Sequence, residues 1–341
     1  MYTLLIFAGA GASKAVNPGQ YPTTVEFFDA LPQEIRGHPL FTRVDSYLRQ
    51  SLPDQKLDIE LILWRLQELR LFCETATDKH QFPGWMIGTG NLVAAYANPN
   101  ANLGHFRDVA QGTVKQLDYL ISQINQKVYD LYSALPESDD LARTWTPLLE
   151  GCGSLGVRTE IVTTNYDMII ESALDGNPVA DNGWRGTIYR TLDVDSWTLS
   201  SEATRKGLLT KLHGSVNWSR KGDTVFISDP TFKGAHENHA IIYPGFKGRP
   251  PDATFLSFHE HFRRVLRSAK VAVFVGFAFR DPYINEICSS SLASGTTCIA
   301  INPQRVSLPF SNKNSIYIEQ PFDVDSVAAA LNAVRDALRL T

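Results

Sequence analysis

Short apolar runs that stop abruptly at glycine or a polar residue are what most constrain this chain. TLLIFA (3–8) stops at Gly9, and the run from Arg158 to Thr163 stops at Thr164, Asn165, Tyr166 and Asp167. KGLLTKLHGSVNW (206–218) carries Leu208, Leu209 and Leu212 into His213 and Gly214; KVAVFVG (270–276) stops at Gly276, and TCIAI (297–301) at Asn302 and Pro303. Each run has strand length and composition, with helical periodicity between them. Strands alternating with helices predict an α/β fold: a doubly wound, mostly parallel, Rossmann-like sheet. Ser315 to Ile318 supplies an edge strand, and Asp325 to Leu338 a closing amphipathic helix. Ligands of such sheets lie beyond the carboxyl ends of the strands, which is where all five stops fall.

Between Pro39 and Cys152 the period changes. Ile59, Ile62, Leu63, Leu66 and Leu69 recur at helical spacing, as do Val114, Leu117, Leu120, Ile124, Val128 and Leu131. The expected organisation is a single domain over 1–341 with a helical insertion at 39–152, whose stripes face a core. Phe82 to Leu103 is expected to be connecting loop, and Leu141 to Leu149 a third helix ending at GCGSLG. VNPGQYPTT (16–24) forms a turn-rich loop beside the glycine turn, able to fold over a ligand, and Thr24 caps the helix after it.

The stops differ in chemical content. Gly9 and Gly11 fit the start of a phosphate-binding turn, allowing close backbone approach to a pyrophosphate, and Ser13 adds a hydroxyl near the amides of the following helix. Lys14 stands where a third glycine would complete GxGxxG, and no acidic strand end follows about twenty residues on, so an ordinary dehydrogenase fingerprint is disfavoured. A turn with no ligand fits the glycines equally. Asn165 both donates and accepts, which suits a sugar hydroxyl or a water; Thr164, Asn165 and Asp167 also suit a helix cap. His213 at a strand end reads either as a base or as a residue filling a turn. Asp281 and Pro282 open a helix. His259 and His261, two apart on a helix, point to nearly opposite sides, and His236 and His239 lack a third partner, so no metal site is expected.

The 341 residues are 43% hydrophobic and 20% charged with a formal net charge of −4, an ordinary globular composition without global attraction to nucleic acid or to an anionic membrane. No stretch approaches the roughly 18 apolar residues of a membrane span. The apolar run at the N-terminus is short and lacks a basic leader, so a cytoplasmic location is expected. Cys73, Cys152, Cys288 and Cys298 form no CxxC pair, which argues against a disulfide framework or a thiolate zinc site.

GAGAS (9–13), TTNYD (163–167), KLHGS (211–215), VGFAFRD (275–281) and AINP (300–303) stand in sirtuin order, and the chain resembles the sirtuin-like NAD hydrolases of bacterial antiphage defence. The resemblance implies NAD as substrate, with contacts at Gly9, Ala10, Gly11, Ser13, Asn165, Asp167, Gly276 and Asn302. It further implies His213 as the base, with Asn165 holding the nucleophile or the ribose. The sirtuin deacetylases continue GAGxS into GIPDFR and carry four zinc cysteines; this chain has VNPGQYPTT and no CxxC pair, so no zinc module is expected. Phe277 and Ala278 replace the Thr and Ser of the sirtuin GTS motif. The resemblance thus implies an NAD glycohydrolase regulated through a homo-oligomer or a partner sensor protein. A protein deacylase and a non-catalytic NAD- or ADP-ribose-sensing module remain the alternatives.

Overall fold

The structure is a computed structural model describing residues 2–54, 56–77, 103–177, 179–181, 184–185, 190–192, 206–221, 224–227, 239–241, 253–311 and 314–339. It divides into two compact units, one formed by Met1–Thr24 with Val128–Thr341 and the other by Val25–Lys127. The second unit overlaps the insertion expected at 39–152, beginning earlier and ending sooner.

The larger unit is built on seven strands: β1 (Thr3–Ala8), β2 (Arg158–Thr163), β3 (Ala180–Asp181), β6 (Gly207–Lys211), β10 (Ala269–Val275), β11 (Thr297–Ile301) and β12 (Ser315–Ile318). Their order is β12-β11-β10-β1-β2-β6-β3, and every neighbouring pair is parallel. Leu4 to Ala8 of the central strand are all fully buried, as a strand covered on both faces requires. Leu5 and Phe7 join Phe258, Phe262 and Leu266 of the helix Ala253–Ser268 in one apolar cluster. Leu4 and Ile6 alternate to the other face. The C-terminal helix Val324–Leu338 packs on β10, β11 and β12, and starts at a capping box between Asp323 and Ser326. The helix expected from Leu141 is two pieces, Ser138–Ala142 and Trp145–Ser154.

A second sheet departs from the expected architecture. β4 (Trp184–Arg185), β5 (Arg190–Leu192), β7 (Gly214–Lys221), β8 (Thr224–Ile227) and β9 (His239–Ile241) form an antiparallel sheet in the order β4-β5-β8-β7-β9. Its strands at 224–227 and around 240 were expected; β7 was not, because polar residues alternate with Val216 and Trp218 and break up the apolar run, although Gly214 to Trp218 are all buried. The segments at 82–102, 195–205 and 244–251, expected to be loops, lie outside the described residues.

In the smaller unit, Ile59, Ile62, Leu63 and Leu66 of the helix Ile59–Thr77 are buried, as are Leu117, Leu120 and Ile124 of the long helix Leu103–Tyr132. Arg70 of the first helix pairs with Asp118 of the second. Among the described residues no helix is long and apolar enough to cross a membrane.

Candidate functional site

The carboxyl ends of five parallel strands are stitched together within the larger unit. Gly9 N–H donates to Val275 O at 2.9 Å, Gly11 N–H to Gly276 O at 2.9 Å, Leu212 N–H to Thr163 O at 2.9 Å, and Gly276 N–H to Ile301 O at 2.9 Å. Gly9, Asn165, His213, Gly276 and Asn302 therefore lie along one sheet edge, as the sequence implies.

The glycines have a more local reason than ligand approach. A Cβ on Gly11 would lie 2.8 Å from Gly276 O, and one on Gly9 would lie 2.7 Å from Phe277 Cα. Gly276 itself has φ +57°, and a Cβ there would meet Ala12 N at 2.1 Å. Two backbone turns are pressed face to face, so the three glycines answer to each other.

Ser13, Asn165 and Asp167 form a directed chain of hydrogen bonds. The Asn165 Nδ2 group donates to Gly9 O at 2.9 Å and to Ser13 Oγ at 2.7 Å, and the Ser13 hydroxyl donates to Asp167 Oδ2 at 2.6 Å. Asp167 Oδ1 accepts from Ile169 N–H at 3.1 Å, the first amide of the helix Ile169–Gly176, from one residue before its N-cap Met168, which makes no side-chain cap bond of its own. The Ser13 proton is thus committed to a buried carboxylate. Ala10 and Asn302 are half-buried; Asn302 Nδ2 donates to Phe277 O at 3.3 Å, and its backbone N–H to Ile318 O at 3.2 Å.

His213 sits in the two-residue turn between β6 and β7 and is 4% exposed. Gly214 makes that turn possible: its φ is +83°, and a Cβ would stand 1.9 Å from Ala240 O. The imidazole Nε2 lies 3.4 Å from Asp281 Oδ2, an ion-pair distance, and Nδ1 is buried with no hydrogen-bond partner among the described residues. Tyr166 lies alongside, with ring centroids 6.4 Å apart.

Two buried groups here escaped the sequence reading. Lys211, 2% exposed, donates to Glu171 Oε1 at 2.9 Å, to Ser215 Oγ at 2.8 Å and to the Asp167 carbonyl, clamping the backbone between Asn165 and the following helix. Asp281 was legible as a helix cap, and its Oδ1 does accept from Tyr283 N–H at 2.8 Å and Ile284 N–H at 3.1 Å, but its approach to His213 was not. Burial pushes the Asp281 carboxyl up; His213 and the two amides outweigh this and hold it below its ordinary range.

The VNPGQYPTT loop is tied down within this unit. Asn17 Oδ1 accepts from the amides of Gly19 and Gln20, Gln20 Nε2 donates to Leu131 O, and Tyr21 Oη to Ala134 O. Burial, with Asp167 and Asp140 nearby, pushes the Tyr21 phenol well up.

His259 and His261 go separate ways. The first donates from Nδ1 to Phe255 O, and the second meets Glu160, a carboxylate of β2 that is 1% exposed. His236 lies outside the described residues, and among those described no group of His, Cys, Asp or Glu is suited to a metal.

In an open parallel sheet, ligands bind in the crevice beyond the carboxyl ends of the strands, where these polar groups converge. Residues 159–322 match the family model described as a SIR2-like domain, a stretch that includes Asn165, His213, Asp281 and Asn302. Among solved structures it is similar to a triple mutant of a Sir2 homologue complexed with 2'-O-acetyl ADP ribose, at 15% identity and TM-score 0.44, covering 99% of this chain and 94% of that one. It is also similar to a Sir2 homologue complexed with NAD, at 14% identity and TM-score 0.41, covering 99% and 90%. No curated protein matches the sequence.

Proposed function

We propose that this chain binds NAD at the carboxyl edge of its parallel sheet and cleaves the bond between nicotinamide and ribose, releasing nicotinamide and ADP-ribose. The observation that carries the reading is the buried, unpartnered Nδ1 of His213 at the end of β6, inside the stretch that matches the SIR2-like family model and one strand from Asn165. A buried acceptor without a donor costs on the order of 1–3 kcal/mol, a cost that a bound hydroxyl or water removes.

In the reaction the C1'–N bond breaks with its electron pair leaving on nicotinamide, and a water oxygen bonds to the cation-like C1'. The imidazole of His213 accepts the proton that this oxygen loses. Asn165 has both amide hydrogens committed to Gly9 and Ser13, so its Oδ1 is the atom left to order the nucleophile or a ribose hydroxyl. Asp167 keeps that amide in register through Ser13, and Lys211 fixes the backbone beneath it. Gly9, Ala10, Gly11, Gly276 and Asn302 supply the wall toward the phosphates and the adenosine ribose. No step needs a metal. An uncontrolled NAD hydrolase would drain the pool of the cell that makes it, so self-association or a partner sensor restrains the activity, in the antiphage setting that the resemblance implies.

The test is turnover of NAD by the parent, His213→Ala and Asn165→Ala, read as released nicotinamide. The parent should be active and His213→Ala inactive while still folded. Turnover by both variants at the parent's rate would refute the assignment.

A further inference from the structure

Asp281 spends its two carboxylate oxygens on different tasks. Oδ1 caps the helix Pro282–Ser291, accepting the amides of Tyr283 and Ile284, whereas Oδ2 has no hydrogen-bond partner and faces His213 Nε2 at 3.4 Å. A cap requires only the first oxygen, and the second is buried beside the imidazole, with the two side chains 10% and 5% exposed.

We infer that Asp281 is the positioning residue for His213: its Oδ2 holds the Nε2 proton and so fixes the neutral tautomer in which Nδ1 presents its lone pair to the reacting oxygen. The inference rests on the NAD-cleaving reading above and adds to it a residue that does not touch the substrate. In a neutral imidazole one nitrogen carries the proton and the other accepts, and a carboxylate against one nitrogen decides which. The observed pattern, one nitrogen facing a carboxylate and the other buried and unpartnered, is the one such a pair produces.

The segment that carries Asp281 is built to hold it there. Phe279 has φ +52°, a left-handed conformation that a bulky residue adopts only under constraint. Asn285 Nδ2 donates to Phe279 O at 2.7 Å and Asn302 Nδ2 to Phe277 O at 3.3 Å, strapping the turn from the helix it precedes and from the end of β11. The rings of Phe277 and Phe279 meet edge to face at 4.7 Å. Two further titratable groups act on the pair: burial pushes the Cys288 thiol up, so it stays uncharged, and His259 is pushed down to about 4, first by burial, so it stays neutral and does not compete as a cation for Asp281.

Asp281→Asn separates the two tasks, because asparagine caps a helix about as well as aspartate through the retained oxygen but replaces the oxygen facing His213 with an NH2 donor. In the NAD assay, kcat should fall by about 100-fold, the low end of what a general base contributes, with KM within roughly threefold and the melting temperature near the parent's. Parent-level kcat in a folded Asp281→Asn would overturn the inference. Nitrogen-15 spectra of the histidine rings provide a second readout that needs no turnover. The parent should show His213 protonated at Nε2 and bare at Nδ1, and Asp281→Asn should lose that preference. A parent His213 protonated at Nδ1 would overturn the inference even if NAD is cleaved. Should the parent leave NAD intact, the functional reading fails while the ring spectra still decide the role of Asp281.

Discussion

Gly11→Ala puts one methyl group where Gly276 O and Gly276 Cα would lie 2.8 and 2.9 Å away. Neither neighbour is the free end of a flexible side chain, so the two turns must separate. Overpacking of this kind costs about 1–3 kcal/mol, and losing the bond from Gly11 N–H to Gly276 O costs about 1 more. Alanine returns at most about 1 kcal/mol through better helix propensity. The packing terms win, and the net loss should be about 2 kcal/mol, roughly a thirtyfold shift in the unfolding equilibrium. Urea unfolding of the ligand-free protein measures it, with Gly19→Ala as control, since a Cβ there meets only Asn17 Oδ1 at an ordinary 3.6 Å. The control should stay within about 0.5 kcal/mol of the parent. If Gly11→Ala is as stable as the control and only NAD affinity falls, the glycine serves ligand approach and the packing argument is wrong.

Lys211→Met should lower stability by about 2–4 kcal/mol, because it strands Glu171, which is only 14% exposed, together with the Asp167 carbonyl; a denaturation midpoint unchanged from the parent would contradict this. The Glu160 carboxyl is pushed up by burial but pulled further down by His261, Arg158 and the Leu208 amide, so its folded pKa lies below the ordinary value near 4.5. A depressed carboxylate contributes stability that is present above the unfolded pKa and lost as pH falls through the folded one. Glu160→Gln should therefore cost about 1–3 kcal/mol at neutral pH and flatten the acid limb of the stability curve below about pH 4.5. Parallel curves for parent and variant would refute that role.

The central strands of the parallel sheet were legible because they are covered on both faces and so are written as apolar runs, Leu4 to Ala8 being the clearest; the two-residue β3 at its edge was not. The antiparallel sheet was not, because β4 and β5 are two and three residues long and β7 interleaves polar residues with Val216 and Trp218. His213 and Asn165 could be found because both follow strand ends directly. Asp281 hid behind a sufficient local explanation: an Asp before a Pro is already accounted for as a helix cap, and only the fold brings its second oxygen to His213. Lys211 read as one polar residue in an apolar strand, and nothing nearby in sequence announces Glu171 as its partner. The reason for Gly9 and Gly11 was also out of reach, since the turn they press against, at Gly276 and Phe277, is remote from them in sequence.

The most direct measurement is chromatography of the products formed when NAD is incubated with the protein, with and without an acetylated peptide. Nicotinamide and free ADP-ribose should appear in equal amounts, at a rate that the peptide leaves unchanged. O-acetyl-ADP-ribose formed only when the peptide is present, or NAD left intact by a folded protein across a wide range of its concentration, would contradict the account.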